Sequence, residues 1–280
     1  MLKAYQTLTD LRVTVAHAER LEFVGGMDRL PQAFLAHLRA RPRLGAQVVH
    51  LEQDPARGRA AATYRARDGS YHQETGDAVL CTVPLGVLAH IDVTPELSSA
   101  KRRAVRQVNY DSGTKVLALT AERFWERDEG IYGGCTYTDL PTAMAFYPSD
   151  NAVRRSAAVS RGPGVLLASY SWGATARRLA AVPAADRHAF VIRCLTRVHP
   201  QLARAGLVQA MASSSWDANP YSRGAYCWFL PGQHDSLYRY LIAPEGRLFF
   251  AGEHASLSHS WIQGALESAV RAVGQIIGNG

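Results

Sequence analysis

Two stretches near the end of the chain decide the fold: Leu248–Ala255, which reads LFFAGEHA, and Ser260–Ala269, which reads SWIQGALESA. The first predicts a buried apolar strand ending at Gly252, where the missing side chain lets a ligand approach the backbone. The second predicts a helix that begins near Trp261, and the free amides of its first turn can meet ligand oxygens. Glu253 offers a carboxylate suited to a sugar or polyol hydroxyl. On these residues alone, the segment could equally be a scaffold element.

Composition indicates an ordinary soluble globular protein. Of the 280 residues, 47% are hydrophobic and 20% charged, so the chain can bury a sizeable core in one or two domains. The formal net charge of +7 comes almost entirely from scattered arginines without an aromatic-basic motif, and nucleic-acid binding is not expected. No apolar run is long enough for a bilayer and the N-terminus lacks a secretory core, which predicts a cytoplasmic protein without membrane contact.

The four cysteines, Cys81, Cys135, Cys194 and Cys227, are far apart along the chain. Neither a Cys-x-x-Cys pair nor a Cys/His ligand spacing occurs, so the sequence predicts no metal site. Free thiols in a reducing compartment are the expected state.

The order of predicted elements indicates an α/β (α+β) chain with a mixed sheet. Predicted strands are Gln47–Glu52, Ala60–Arg67, Ala78–Val83, Thr114–Leu119, Gly130–Tyr137, Thr142–Tyr147, Gly164–Trp172, Tyr226–Leu230 and Arg247–Ala251. Predicted helical regions are a stripe of Leu30, Phe34, Leu35 and Leu38, a short helix within Pro95–Val108, an insert at Ala174–His199 and a last helix at Trp261–Ile277.

Four segments in order resemble the flavin amine oxidases, the family of monoamine, polyamine and L-amino-acid oxidases. The last is the pair of stretches quoted above. Val24–Pro31 is similar to the family's GGMDRLP segment, and Gln47–Leu51 is similar to the strand whose valine backbone meets the flavin adenine. Ser112–Val116 resembles the segment that bears the family's flavin lysine. Each segment is weakly specific alone, but the four together cover nearly the whole chain.

The resemblance implies FAD as the cofactor and Lys115 as the catalytic residue, hydrogen-bonded to a water near the flavin N5. The residues implied to contact FAD are Gly26, Arg29, Val48, Gly252, Glu253, Ser260, Trp261 and Ile262. His254 and His259 are candidates for proton transfer, or for local hydrogen bonds only.

Within the family, two further segments favour a resemblance to the L-amino-acid oxidases. Thr138–Pro141 followed by Phe146–Pro148 looks like the segment whose tyrosine helps to hold the substrate carboxylate. Trp216–Tyr226 resembles the W…YS-x-G-x-Y pattern, whose last aromatic flanks the substrate together with the one in the C-terminal motif. The implied substrate-binding residues are Tyr147, Tyr226, Trp261 and Trp216.

Members of the family open with a βαβ unit whose G-x-G-x-x-G turn holds the pyrophosphate, and these 280 residues contain no such unit. The expected domains are therefore a lead-in (1–22), an incomplete FAD-binding domain (23–88 and 236–280) and a mixed-sheet substrate domain (89–235). A second polypeptide is expected to carry the glycine turn and the arginine that binds the carboxylate. The expected assembly is a hetero-oligomer with two or more copies of each chain.

The implied reaction converts an L-amino acid and dioxygen into a 2-oxo acid, ammonia and hydrogen peroxide. An amine oxidase or a tryptophan-type monooxygenase subunit on the same scaffold is an alternative, and so is a non-catalytic regulatory subunit. Phe146, Tyr147, Trp216 and Trp228 are compatible with an aromatic or large apolar substrate.

Overall fold

The computed structural model describes residues 23–278, so the predicted lead-in at 1–22 lies outside the described residues. The strands are β1 (Gln47–Asp54), β2 (Arg59–Arg65), β3 (Tyr71–Gly76), β4 (Val79–Cys81), β5 (Asp92–Thr94), β6 (Asn109–Asp111), β7 (Gly113–Thr120), β8 (Cys135–Tyr137), β9 (Met144–Phe146), β10 (Gly164–Trp172), β11 (Val208–Ser215), β12 (Tyr226–Trp228) and β13 (Leu248–Phe250). The helices are α1 (Arg29–Phe34), α2 (Leu85–Leu88), α3 (Ser99–Gln107), α4 (Phe124–Arg127), α5 (Ala157–Ser160), α6 (Gly173–Ala180), α7 (Ala184–Thr196), α8 (Gln233–Ile242) and α9 (Ile262–Gly278). This mixture confirms the predicted α/β (α+β) class.

A first region is built on a four-stranded sheet of order β3-β2-β1-β5 and on the parallel pair β13-β4. The hairpin of β1 and β2 forms as predicted, because a turn through Pro55 reaches the left-handed conformation at Gly58 (φ 63°), which glycine adopts without strain. Helix α3 begins where the Ser98 hydroxyl accepts the Lys101 amide. The β1–β2 hairpin and helix α3 pack on a common core that includes Leu51, Leu85, Val105, Leu237, Leu248 and Phe250.

A second region is built on a five-stranded sheet of order β11-β7-β10-β9-β8. Alternate residues of β7 and β10, including Val116, Ala118 and Leu166, are buried against α6 and α7 and share one core with Leu195 of α7. The opposite face carries the half-buried or exposed residues of the same strands. One face of the sheet is therefore covered by helices, whereas within residues 23–278 no helix covers the other, which we call the open face.

The first core draws residues from both the predicted FAD-binding domain and the predicted substrate domain. Helix α3 and Cys227 contribute to this core, and both lie inside the predicted substrate domain (89–235). The antiparallel pair of β6 and β12 lies close to the start of β7, since Asp111 pairs with Tyr226 and β7 begins two residues later. The predicted domain boundaries stay a prediction.

Helix α9 exposes an apolar stripe at helical spacing. Leu266, Val270, Val273 and Ile277 lie on one side of the helix, and Val270 is 76% exposed. A second exposed apolar group follows the glycine turn near the start of the described chain: Phe34, Leu35 and Leu38. Within residues 23–278, none of the helices combines the length and the apolar content needed to cross a membrane.

Candidate active site

Two glycines let the start of α9 lie directly against the loop that follows β13. Gly252 adopts φ 135°, donates its amide to the Ser268 hydroxyl at 2.8 Å, and has no room for a Cβ beside the His254 ring. A Cβ on Gly264 would lie 2.1 Å from the Ser258 carbonyl oxygen. The loop and the helix start therefore form one close-packed backbone surface.

The first turn of α9 is accessible. Ser260 adopts a left-handed φ of 69°, and it turns the chain so that Trp261 is 51% exposed and Ile262 is 48% exposed. The amides of a first helical turn have no partner within their helix, and their partial positive charge favours oxygen ligands. This end of α9 can therefore accept carbonyl or hydroxyl oxygens of a cofactor.

The Glu253 carboxylate holds the loop in place from inside. Its Oε1 accepts the amide of Cys227 at 3.0 Å, and its Oε2 accepts the amide of Ser260 at 3.0 Å. The side chain keeps 22% of its surface exposed, so lone pairs remain for a polyol hydroxyl. A structural role and a cofactor-binding role are compatible at this residue.

The two histidines of the loop are poorly placed for proton transfer at neutral pH. His254 is buried beside Gly252, and burial lowers its pKa to about 4. His259 donates from Nδ1 to the Glu253 carbonyl at 2.9 Å, and burial also lowers its pKa. Both imidazoles are therefore neutral, and the local hydrogen-bonding role is the one that the structure shows for His259.

Lys115 lies on the open face of the second sheet. Antiparallel pairing sets it opposite Tyr170 of β10, and its Nζ lies 4.7 Å from the centroid of that ring. Burial lowers the pKa of the half-buried ammonium group. A cation held over an aromatic ring in a partly dry place is suited to stabilise negative charge that develops nearby.

A row of aromatic rings continues from Lys115 along the open face. The Tyr170 ring lies 4.4 Å from Trp172, Trp172 lies 5.3 Å from Tyr226, and Phe146 packs edge-on to Tyr170 at 5.9 Å. We call Phe146, Tyr170, Trp172 and Tyr226 the aromatic wall. Tyr226 is a substrate-binding residue implied by the resemblance and Phe146 is one of the aromatics compatible with a large apolar substrate, whereas Tyr170 and Trp172 were not predicted.

Trp216 joins the edge of the aromatic wall at Gly113. A Cβ on Gly113 would lie 3.1 Å from Trp216 and 3.3 Å from Trp172, so the two indoles approach each other over this glycine. Trp216 is partly exposed, and its amide donates to the Gly113 carbonyl at 2.9 Å. The structure thus places both Trp216 and Tyr226 beside Trp172, and their contact with a substrate stays a prediction.

Tyr147 lies apart from this group. The alternation of β9 sends Phe146 to the aromatic wall and the next side chain, Tyr147, into the core on the other face, where it is 6% exposed. Its hydroxyl is within 2.6 Å of both Thr136 Oγ1 and His199 Nε2. The predicted contact between Tyr147 and a substrate carboxylate is not supported by this position.

The remaining predicted cofactor residues are Gly26, Arg29 and Val48, and of these Val48 packs on the first core. Gly26 adopts φ 109° in an exposed turn, and its carbonyl accepts the amide of Arg29 at 3.2 Å. Val48 is half-buried on β1 against the first core. Their contact with a flavin stays a prediction.

The chain is similar to flavin oxidases over most of its length. The sequence profile described as "Flavin containing amine oxidoreductase" matches residues 3–277. A putative L-amino-acid oxidase of Bacillus subtilis is 35% identical over 257 residues, which are 91% of this chain and 52% of that protein. An L-amino-acid oxidase of Siganus canaliculatus is 35% identical, covering 91% and 47%. A flavin-dependent L-tryptophan oxidase of Lentzea aerocolonigenes is 36% identical, covering 90% and 52%.

A solved structure shares the fold at low sequence identity. The described chain superposes on a putrescine oxidase redesigned in its cofactor binding with a TM-score of 0.72 and 19% identity, covering 91% of this chain and 53% of that one. The chain therefore spans about half the length of the curated relatives and of the solved structure that it matches.

Proposed function

Because the chain belongs to the flavin-containing amine oxidoreductase family, we propose that it forms the substrate-side part of an FAD-dependent L-amino-acid oxidase. Family membership confirms the predicted flavin cofactor. The single observation that carries the proposal is the aromatic wall beside the half-buried Lys115. The names of the relatives, L-amino-acid oxidase and L-tryptophan oxidase, support an amino-acid substrate.

The cofactor's place in the proposal follows from the C-terminal loop. The exposed first turn of α9 would hold flavin oxygens, and Glu253 would bind a hydroxyl of the ribityl chain. Gly252 and Gly264 have no Cβ, which lets the loop and helix pack as one surface on which the cofactor would lie. These residues fit the group because they combine amide donors, an acidic acceptor and close-approach glycines.

The chemistry divides between the cofactor and this chain. When bound, FAD would supply the redox chemistry, which is oxidation of the substrate Cα–N bond and reduction of dioxygen to hydrogen peroxide. Lys115 would hold a water by hydrogen bond, and its charge would favour the reaction with oxygen. The aromatic wall would orient the substrate, and Tyr226 and Trp261 would lie on opposite sides of the substrate. The substrate side chain that such a wall favours is aromatic or large and apolar.

Apolar surfaces that no other described residue covers support a complementary polypeptide. The stripe on α9 and the group near α1 expose several large apolar side chains, and a contiguous exposed surface of this kind marks an interface. The partner that we propose carries the G-x-G-x-x-G turn and the arginine for the substrate carboxylate, in a hetero-oligomer. Tyr147 cannot replace that arginine while its hydroxyl is buried.

A matched pair of substrates tests the reaction. L-Tryptophan and tryptamine share the indole and the amine and differ in the carboxylate. The FAD-loaded protein with its complementary polypeptide should reduce its flavin with L-tryptophan, and release a 2-oxo acid and peroxide. Faster reduction by tryptamine would instead identify an amine oxidase, and an amide with carbon dioxide would identify a monooxygenase. A colourless complex would leave only the non-catalytic role.

A second pair of variants tests the complementary polypeptide. Val270→Glu places a charge on the α9 stripe, and Val153→Glu makes the same change at a valine that is 96% exposed elsewhere. We expect only Val270→Glu to abolish co-purification with the polypeptide that carries the glycine turn. Equal retention by the two variants would contradict the proposed interface.

A further inference from the structure

Three side chains that are distant in sequence meet behind the start of α9. Cys227 comes from β12, Glu253 from the turn after β13, and His259 from the loop before α9. The Cys227 Sγ lies 3.1 Å from His259 Nδ1 and 3.4 Å from Glu253 Oε2, and the last two atoms are 3.9 Å apart. We propose that this cluster binds a thiophilic divalent cation of the Zn²⁺ or Cd²⁺ class.

The distances agree with one face of a tetrahedral site. Zinc bonds of about 2.3 Å to sulfur and about 2.0–2.2 Å to nitrogen and oxygen separate neighbouring ligand atoms by roughly 3.3–3.6 Å. One observed separation is below that range (3.1 Å), one is within it (3.4 Å) and one is above it (3.9 Å), so shifts of a few tenths of an ångström close the site. Three protein ligands leave the fourth position for water or an added ligand.

Burial and charge also suit a cation. Cys227 is fully buried, and a thiolate with a carboxylate would neutralise the two positive charges of the metal. Amides of Cys227 and Ser260 already hold the Glu253 oxygens in place. The cost is one hydrogen bond, since His259 Nδ1 must stop donating to the Glu253 carbonyl before it can bind a metal.

The site also has a consequence for the cofactor, which rests on the proposed function. The carboxylate of Glu253 is the group assigned to the flavin ribityl chain, so a cation that holds it should compete with FAD. The apoprotein should bind the metal, and saturating FAD should displace it.

The test is a Cd²⁺ titration of the apoprotein, with its complementary polypeptide, followed by the ultraviolet thiolate-to-metal absorbance band. We expect one Cd²⁺ per chain. Cys227→Ser should abolish the band, and His259→Gln should keep it while weakening binding by about tenfold or more. Cys81→Ser and Cys135→Ser are matched controls, one buried and one exposed, and both should bind as the wild type does.

Absence of the band in the wild type, or its survival in Cys227→Ser, would overturn the proposal. Unfolding temperatures of the variants identify any misfolded one, and in that case the His259→Gln titration decides. Cd²⁺ binding by a chain that binds no FAD would refute the proposed function and leave the metal site standing. Simultaneous binding of FAD and Cd²⁺ at unchanged affinities would refute the competition.

Discussion

Alanine substitution of two glycines on one helix should change stability in opposite directions. Gly264 and Gly274 both lie on α9. A Cβ at Gly264 would lie 2.1 Å from the Ser258 carbonyl oxygen and 2.4 Å from the Ser256 hydroxyl, whereas a Cβ at Gly274 meets no atom of residues 23–278 within 4 Å. Ordinary contacts between a carbon and its neighbours are about 3.5–4.0 Å, so Gly264→Ala must displace the helix start or the loop by more than an ångström.

The magnitudes follow from overpacking and from helix propensity. Inserting a methyl group into a packed place costs about 1–3 kcal/mol, which outweighs the gain of about 0.4–1 kcal/mol from replacing a helical glycine. Gly264→Ala should therefore destabilise the protein by about 1–2 kcal/mol. Gly274→Ala should stabilise it by about 0.4–1 kcal/mol, because it gains the propensity and meets no obstacle.

Two assays check this pair on the FAD-loaded protein. Denaturant unfolding gives the change in free energy, and flavin fluorescence gives the fraction of FAD retained. Gly264→Ala should lose FAD more readily than the wild type, because the displaced segment is the one assigned to the cofactor, while Gly274→Ala should retain it. Equal effects of the two substitutions on stability would refute the close-packing argument, and full FAD retention by a destabilised Gly264→Ala would refute the cofactor assignment.

Three further predictions concern buried groups and the open sheet face. Burial lowers the pKa of Lys101 from 10.5 to about 7, so between these values the folded lysine is neutral and unfolding takes up a proton. The free energy of unfolding should therefore rise with pH by up to about 1.4 kcal/mol per pH unit from about pH 7 to roughly pH 10. Lys101→Met should remove this slope in denaturant titrations at several pH values. Tyr147→Phe should cost about 1–3 kcal/mol of stability by leaving buried polar partners unpaired, with an unchanged KM for L-tryptophan, whereas Phe146→Ala should raise that KM in steady-state assays. Lys115→Met should slow flavin reoxidation by about 10²-fold in stopped-flow measurements, with Lys115→Arg retaining part of the rate; unchanged rates would remove Lys115 from the reaction.

The sequence predicted the strands whose patterns are strong. Strands β7 and β10 lie within a residue of their predicted ends, because apolar residues alternate along them and turn formers bound them. Strand β11 (Val208–Ser215) was not predicted, since its small and polar residues give little β signal and it lies at the edge of its sheet. Helix α8 was also missed, and it begins after Gly232 without a side-chain cap.

The site could be predicted only where a local motif marks it. Lys115 and Glu253 stand in recognisable segments, whereas the place of Tyr170 depends on the register of β10 against β7, which no local pattern fixes. The same limit applies to Tyr147: alternation shows that Phe146 and Tyr147 face opposite sides, but it does not show which side is open. The cluster of Cys227, Glu253 and His259 was not predicted for a third reason, because these residues do not stand at a conventional metal-ligand spacing in the sequence.

The order in which the protein can form its first core follows from the β4 and β13 pair. Residues 79–81 of β4 pair with residues 248–250 of β13, and the chain between them includes the whole second region. The pair can therefore form only after β13 has been synthesised. A ribosome delivers the chain from the N-terminus, so β4 emerges long before its partner and stays exposed during synthesis, while the second sheet completes itself from consecutive strands. Such distant pairing is slow, and we expect newly made chains to require a chaperone or rapid elongation between these two points.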